Sequence, residues 1–435
     1  MTKTRGPALA LVALAILAAA ITLRPGATSV GPVLAEISAG LELTSFSAGI
    51  LTALPGFMFA AAGVLAVPLS KKWGIGASIG AGLMVTAVCL LLRPYLGSGV
   101  LFILLSAIAL SGMAIGNVLV PAVIRIFGRD RPAFLAGVYS TGLAVGGAAP
   151  LLMAGFLLAV TGGWQLALAS WGWLSVGAAA LWLVLLLRSG GQLGRTKPQS
   201  DSTEASAETP SEPPLTTAER EAVPQSSHHV THAGRQSVAS VRIWKSPTAM
   251  ALALFFGLQS TNAYIQFGWM AQIYRDAGLS LGHASALVGV IAVLGVPGGF
   301  AMSWLVSHSP RLAFWITVMG LCMVAGYAGL LVAPDTVPFV WAFLLGLGSL
   351  AFPTALALIT ARSRDPHVTA RVSGFIQPVG YLMAGFGPLL IGMIHGWTGS
   401  WTIPLLLLLA SSFPLIYFGR KVARGGHVDD ELAAV

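Results

Sequence analysis

Long apolar runs follow one another along most of this chain, and they limit its fold more than any other feature. The apolar layer of a bilayer is about 30 Å thick, so a helix needs roughly 20 apolar residues to cross it. Twelve runs reach that length, near residues 7–36, 46–70, 74–93, 98–127, 133–160, 164–188, 247–274, 283–307, 310–332, 337–361, 367–394 and 402–420. Lipid cannot pair backbone N–H and C=O groups, whereas a helix pairs them within itself. The sequence therefore predicts an all-α membrane protein with twelve transmembrane helices, here called spans one to twelve.

Composition excludes a water-soluble domain. Of the 435 residues, 56% are hydrophobic and only 9% are charged, whereas soluble domains carry about 25% charged residues. The two cysteines, Cys89 and Cys322, lie in separate apolar runs and predict no disulfide framework. Lys3 and Arg5 precede the first run as they would in a secretory signal, but the many later spans favour a retained first span.

A polar segment separates the first six spans from the last six. Residues 189–243 are rich in Ser, Thr, Pro, Gln, Glu and His, and this composition cannot bury a core. We therefore predict a flexible linker between an amino-terminal six-helix bundle, residues 1–188, and a carboxy-terminal six-helix bundle, residues 244–435.

Three histidines stand close together in the linker, His228, His229 and His232. Metal sites combine histidines with further ligands such as cysteine or carboxylate, and no such cluster accompanies them. We interpret them as a solvated run and predict neither a metal ion nor another cofactor. No paired acid and base, and no nucleophile with a neighbouring base, marks a span as the site of an intramembrane enzyme. The chain is therefore predicted not to be an enzyme.

The distribution of positive charge predicts the orientation. With the amino terminus inside, all but three of the 24 Lys and Arg residues fall on the inner side, as the positive-inside rule requires. The exceptions are Arg93 and Arg275, placed outside, and Arg24, placed within the membrane. We expect a multi-pass plasma-membrane protein with both termini in the cytoplasm. The net charge of +9 then reflects topology, and no nucleic-acid partner is predicted.

The two halves repeat each other. A shift of 238 residues places Gly142 on Gly380 and Pro150 on Pro388. Six spans repeated in parallel predict two bundles related by a pseudo-two-fold axis, with a substrate site between them.

Arg24 is the one charged residue predicted at mid-depth. Its guanidinium stays protonated, so inside a membrane it needs water or a partner. Pro25 and Gly26 follow at once and interrupt the helix, and such backbone is tolerated where it lines a cavity. Together with Thr28 they predict a polar pocket with a hinge at Pro25 and Gly26. The alternative is that Arg24 reaches the interface from the end of a short helix.

Other polar residues within the spans are candidate substrate ligands. Such residues either bond neighbouring helices or face the transport pathway. The candidates are Asn117 on span four, Gln259, Asn262 and Tyr264 on span seven, and Gln377 and Tyr381 on span eleven. Span five carries Gly146 and Pro150, which indicate either a gating hinge or close helix packing.

Several strings resemble one family of transporters. They are TLR at 22–24 with GP at 31–32, LTALP at 51–55, GNVLVP at 116–121, IWKSP at 243–247 and VGYL at 379–382. The chain resembles the major facilitator superfamily, and within it the cyanate and 2-nitroimidazole permeases. The resemblance implies alternating access by a monomer, with a cavity lined by spans one, four, seven and eleven. The superfamily signature after span two is degraded, because Lys71 stands where an acid is expected.

The spans hold no Asp, Glu or His near their middles. Proton-coupled transporters usually hold a carboxylate there. The nearest acid to Arg24 is Glu36, about 18 Å away along an unbroken helix at 1.5 Å per residue. We therefore favour transport of a small anion or polar heterocycle bound at Arg24, by facilitated diffusion, exchange or a proton carried on the substrate. The alternative is a proton-coupled exporter of drugs or metabolites.

Overall fold

The predicted spans are helical in the computed structural model, which describes residues 9–128, 131–189, 193 and 243–434. Ten helical stretches are long and apolar enough to cross a membrane. The two remaining predicted spans are also long helices, Ser45–Trp73 and Pro247–Asp276. The twelve-span prediction is therefore confirmed among the described residues. Most of the predicted linker, with its three histidines, lies outside them.

The helix bounds agree with the predicted runs to within a few residues in most spans. Spans three to six form Ile75–Leu92, Gly99–Phe127, Pro132–Thr161 and Trp164–Arg188. Spans eight, nine, eleven and twelve form Leu281–His308, Leu312–Val332, Pro366–Thr398 and Thr402–Arg424. Local signals set several ends: the Ser246 and Ser280 hydroxyl groups accept from the backbone N–H of Ala249 and His283.

Two spans are broken: span one at the predicted interruption, and span ten at a point that the sequence did not indicate. Span one is divided into the helices Leu9–Thr22, Pro25–Thr28 and Leu34–Gly40, with a 3₁₀ helix at Gly31–Val33. Proline lacks a backbone N–H, so Pro25 and Pro32 fit the starts of short helices but not the middle of a long one. Arg24 and Glu36 therefore do not lie on one continuous helix, as the predicted separation of about 18 Å at 1.5 Å per residue assumes. Span ten is similarly divided into Pro338–Ser349 and Ala351–Ala361.

The two ends of the molecule differ in charge. We call the end that carries Lys71, Arg125 and Arg362 the basic face, and the end that carries Glu36 and Arg275 the opposite face. Because each bundle has an even number of spans, the described chain begins and ends at the basic face.

The bundles contact each other on the side of the opposite face. Spans two and eleven approach so closely that a Cβ on Gly56 would lie 2.4 Å from the backbone nitrogen of Gly385. Spans five and eight meet in the same way, with a Cβ on Gly155 lying 2.8 Å from Cα of Gly282. Small residues allow such contact between helices.

Toward the basic face spans five and eight separate. A Cβ on Gly147 of span five, or on Gly295 or Gly299 of span eight, would have no neighbour within 4 Å. These three glycines line a cavity between the bundles. Between spans five and eight the cavity therefore extends from the bundle contacts toward the basic face.

A short helix at the carboxyl end, Val428–Ala433, covers part of the basic face. The Glu431 carboxylate accepts hydrogen bonds from the Ser246 hydroxyl, from the Thr248 backbone nitrogen at 3.0 Å and from the Thr248 hydroxyl at 2.6 Å. Burial alone raises the pKa of Glu431, but these hydrogen bonds and the Lys421 charge outweigh burial and hold the pKa below its usual value. The ionised carboxylate therefore stabilises the start of span seven.

We expect Glu431→Gln to lower the free energy of unfolding at pH 7 by on the order of 1–2 kcal/mol. The melting temperature should fall accordingly. A carboxyl group whose pKa is lower in the folded state stabilises the folded protein at pH values above its unfolded-state pKa. This contribution is lost as the pH falls through the folded-state pKa. The difference from the unaltered protein should therefore shrink as the pH falls below 4.5, the usual pKa. Thermal unfolding across pH measures it, with Glu42→Gln at an exposed site as the control. A difference that stays constant down to acid pH would contradict the assignment.

Candidate functional site

A cavity of about 310 Å³ lies between the bundles. Residues from spans one, two, four, five, seven, eight, ten and eleven line it. Its polar and charged lining residues are Arg24, Thr28, Thr52, Ser106, Ser140, Ser260, Tyr264, Gln266, Ser349 and Tyr381. Arg24 is the only charged residue among the described lining residues.

Arg24 stands at the break in span one. Its carbonyl accepts from the backbone nitrogens of Ala27 at 3.0 Å and Thr28 at 3.1 Å, which starts the next helical turn. Its guanidinium carbon lies 5.8 Å from the centre of the Phe59 ring, within the range of a cation–π contact. No described carboxylate lies within ion-pairing distance of it. The guanidinium therefore faces the cavity with a charge that no carboxylate compensates.

Close packing holds the broken segment in place. A Cβ on Gly26 would lie 2.4 Å from Cε of Met113 on span four, and one on Gly31 would lie 1.9 Å from the carbonyl oxygen of Phe267 on span seven. Gly26 and Gly31 are therefore closely packed parts of the cavity wall, and Pro25 lies beside Gly26 without lining the cavity. The predicted role of Pro25 and Gly26 as a hinge stays a prediction.

An aromatic cluster faces Arg24 across the cavity. The Tyr381 ring lies 5.9 Å from Phe59, 5.4 Å from Phe256 and 6.4 Å from Tyr264, measured between ring centres. Arg24 is within electrostatic reach of both tyrosines. The Tyr264 and Tyr381 hydroxyl groups have no hydrogen-bond partner among the described residues. One guanidinium and two phenol groups thus present donors to the same volume.

Four of the eight predicted ligands do not line the cavity. Asn117 accepts a hydrogen bond from the Tyr139 hydroxyl at 3.0 Å, which joins spans four and five. Asn262 accepts from the Tyr327 hydroxyl at 2.9 Å and donates to Ser411 at 3.1 Å, which joins span seven to spans nine and twelve. Polar side chains in spans commonly serve such interhelical bonds.

The other two bond within their own helices. Gln259 donates to the neighbouring Ser260 hydroxyl at 2.7 Å, and Gln377 donates to Ser373 at 2.7 Å. The sequence pattern places all four residues in spans but does not give the rotation of each helix about its axis. Their role as substrate ligands stays a prediction, and the cavity brings together Arg24, Thr28, Tyr264 and Tyr381.

The predicted gating residues of span five lie where spans five and one pack. A Cβ on Gly146 would lie 2.1 Å from the carbonyl oxygen of Ile21, so glycine is required for this contact. Pro150 lies inside the continuous helix Pro132–Thr161. Close packing accounts for Gly146, and a gating role for either residue stays a prediction.

Sequence reasoning missed Phe59, which lies in an apolar run with no distinguishing signal. It also gave no sign that Arg93 is buried. Arg93 follows the end of span three, packs on the Phe102 ring and is only 1% exposed.

An ion pair joins the two bundles at the opposite face. Arg275 at the end of span seven contacts Glu36 of span one through two N–O distances of 2.9 Å. The two side chains are 24% and 23% exposed, so the pair is partly shielded from water. Beside it, the Trp401 indole donates to Asp276 at 2.7 Å and stacks on His395. Of these contacts, the Glu36–Arg275 pair crosses from one bundle to the other, and the Trp401 contacts lie within the carboxy-terminal bundle.

Two parallel-repeat bundles that enclose a cavity define a secondary transporter that binds its substrate between them. Residues 10–388 match the family model of the Major Facilitator Superfamily, and the chain belongs to that superfamily.

Comparison with individual proteins confirms the predicted resemblance. The chain is 30% identical to the 2-nitroimidazole transporter of Escherichia coli (strain K12) over 419 residues, covering 94% of each protein. It is 24% identical to a cyanate transport protein of the same organism over 384 residues, covering 88% of this chain and 89% of that one. The crystal structure of a mutant of the nucleoside transporter NupG matches with a TM-score of 0.68 at 12% identity, over 94% of this chain and 99% of that one. That last similarity shows the fold alone.

We expect reversal of one charge in the Glu36–Arg275 pair to open the opposite face. In Arg275→Glu the attraction becomes a repulsion, which should shift the equilibrium by on the order of 1 kcal/mol, about fivefold. Spin labels at Leu96→Cys and Val337→Cys, one on each bundle, would report the separation. The double exchange Glu36→Arg with Arg275→Glu should restore the original distance distribution.

The matched control is Arg364→Glu, which reverses a charge in the exposed pair with Asp430 within the carboxy-terminal bundle. It should leave the distance distribution unchanged. An Arg275→Glu protein with an unaltered distribution would show that the pair does not hold the bundles together.

Proposed function

We propose that the protein carries a small anion or a polar heterocycle, of the cyanate or nitroimidazole kind, across the plasma membrane by alternating access. The observation that carries this proposal is the Arg24 guanidinium, which lines the cavity and has no carboxylate partner among the described residues. A single chain suffices, because one chain forms the whole cavity. The basic face is assigned to the cytoplasm by the positive-inside rule, which places both termini there.

The chemistry of the lining supports an electron-rich substrate. A cation within a membrane that lacks a partner is costly, so a substrate with negative charge or a polarised nitro or ring nitrogen group offsets that cost by binding at Arg24. Guanidinium supplies a planar fork of donors, and Tyr264 and Tyr381 add two hydroxyl donors. The Phe59 and Tyr381 rings offer faces on which a flat heterocycle stacks. The cavity volume is near the lower end of the usual 300–1,000 Å³ for ligand sites.

The transport cycle follows from the two sets of bundle contacts. With the opposite face closed, substrate enters from the basic face and binds at Arg24. Binding compensates the charge and permits the bundles to rock, so that the Glu36–Arg275 pair separates and the basic face closes. The 2-nitroimidazole and cyanate transporters, related over most of their lengths, support this substrate class.

The second candidate is a proton-coupled exporter of drugs or metabolites. The close contact of Gly146 with span one is compatible with it, since exporters of the superfamily carry a similar glycine motif on span five. Against it, the described lining residues include no Asp, Glu or His to hold the proton. Glu36, the acid at the end of span one, is engaged by Arg275.

We expect Arg24→Ala to abolish uptake and Arg24→Lys to weaken substrate affinity at least tenfold. Lysine keeps the charge but loses the planar two-point contact. The measurement is uptake of labelled 2-nitroimidazole and of cyanate by cells at matched expression, with substrate-induced thermal shifts of the purified protein. Arg311→Lys, an exposed change of the same type at the basic face, is the control. Normal transport by Arg24→Ala would contradict the proposal.

Coupling is expected to depend on protonation of the substrate and not on a side chain. In vesicles with an imposed pH gradient, a titratable substrate should accumulate, and a permanently charged analogue should only equilibrate. Proton-driven accumulation of that analogue, abolished by Glu36→Gln, would identify Glu36 as the proton carrier and contradict this expectation. Arg275→Gln is the matched control, because it breaks the same ion pair and keeps the acid.

A further inference from the structure

A second arginine lies inside the amino-terminal bundle. Arg93 follows the last residue of the span-three helix, Leu92, and only 1% of its surface is exposed. It is among the largest fully buried side chains of the described protein. A buried charge is usually paired, because removing it from water is costly. Arg93 has no ion pair with a described carboxylate.

The contacts of Arg93 satisfy only part of its guanidinium. Nη1 donates to the Ser106 hydroxyl at 3.0 Å, and the guanidinium carbon lies 5.2 Å from the centre of the Phe102 ring. The Nε and Nη2 groups have no hydrogen-bond partner among the described residues. These two N–H groups stand on one edge of the guanidinium, and together they form the fork that binds two oxygens of an anion. The carboxyl end of the span-three helix favours a cation here, but it does not fill that fork.

This second guanidinium is one hydrogen bond away from the cavity. Ser106, which accepts from Arg93, is also a cavity-lining residue. Leu90 and Met113 lie against the Cβ position of Gly26, at the level of the break in span one. Arg93 is three residues beyond Leu90 on span three, which at 1.5 Å per residue places it about 5 Å closer to the opposite face. Arg93 thus stands behind the Arg24 site on the side that is closed.

We propose that Arg93 and Ser106 form a second anion subsite. Its ligand is a small monovalent anion with two oxygens that accept from Nε and Nη2 of Arg93, such as nitrate, formate or the charged end of a substrate. The subsite is separate from Arg24 and lies nearer the opposite face. An anion there compensates the buried guanidinium, and as the bundles rock it occupies the next position on the route out of the Arg24 site. That place on the route rests on the proposed function, whereas anion binding at Arg93 does not.

The test measures nitrate binding to the purified full-length protein, by calorimetry and by thermal shift. Sodium nitrate is titrated against sodium gluconate at constant ionic strength, so that general salt effects cancel. We expect saturable binding that is retained in Arg24→Gln, is lost in Arg93→Gln and is weakened at least tenfold in Arg93→Lys. Lysine keeps the charge and lacks the fork.

Arg93→Gln risks misfolding, because the residue is fully buried. Ser106→Ala therefore provides a second variant, which removes the acceptor that orients Arg93 and should weaken nitrate binding about threefold or more. Ser111→Ala on the same span, whose hydroxyl donates to the Ala107 carbonyl at 2.9 Å, is the control and should bind as the unaltered protein does.

Three results would overturn the subsite. They are the absence of saturable nitrate binding, binding lost in Arg24→Gln, and binding unchanged in both Arg93→Lys and Ser106→Ala. Failure of Arg24→Ala to impair transport, with nitrate binding at Arg93 intact, would overturn the proposed function and leave this subsite standing.

Discussion

The cost of holding a guanidinium inside a membrane determines much of this structure. Arg24 cannot lose its proton, so its guanidinium needs water, hydrogen-bond acceptors or a ligand around it. Span one is broken at Arg24, and the freed backbone lines a cavity instead of facing lipid. The Phe59 ring supplies the negative face of an aromatic system on one side of the cation. The positive charge of Arg24 that remains uncompensated is available to a substrate. This charge links the fold directly to the proposed transport.

Small residues and one ion pair make the two bundles separable. Gly56 against Gly385, and Gly155 against Gly282, bring backbones together over the half of the molecule nearest the opposite face. Such contacts bury little side-chain volume. In the proposed cycle they can therefore be replaced by a different set of bundle contacts as the bundles rock. The Glu36–Arg275 pair adds a directed contact at the edge, where partial solvent exposure keeps its strength modest. In the proposed transport cycle, contacts of this kind allow the closure at this face to reverse.

The candidate site shows how far residue type and spacing can predict a binding pocket. Arg24, Thr28, Tyr264 and Tyr381 were all identifiable as polar residues within apolar runs, and all four line the cavity. Asn117 and Asn262 gave the same signal, yet they bond Tyr139 and Tyr327 between helices. A polar residue in a span satisfies its hydrogen bonds with either a neighbouring helix or the pathway, and spacing alone does not separate the two. Phe59 gave no signal, because one aromatic residue in an apolar run resembles any other.

The sequence by itself determined the number of spans, the two-bundle repeat and the interruption after Arg24, because these follow from the apolar layer's thickness and from the backbone chemistry of proline. Only the tertiary structure decided which side chains meet. The place of Arg93 at the end of an apolar run predicts its side of the membrane but not its burial, and it is buried because spans three, four and six enclose it. Glu36 and Arg275 are far apart in the chain and pair because the two bundles meet at the opposite face. Local patterns fix where a helix begins and ends, whereas the rotation and docking of each helix depend on partners distant in sequence.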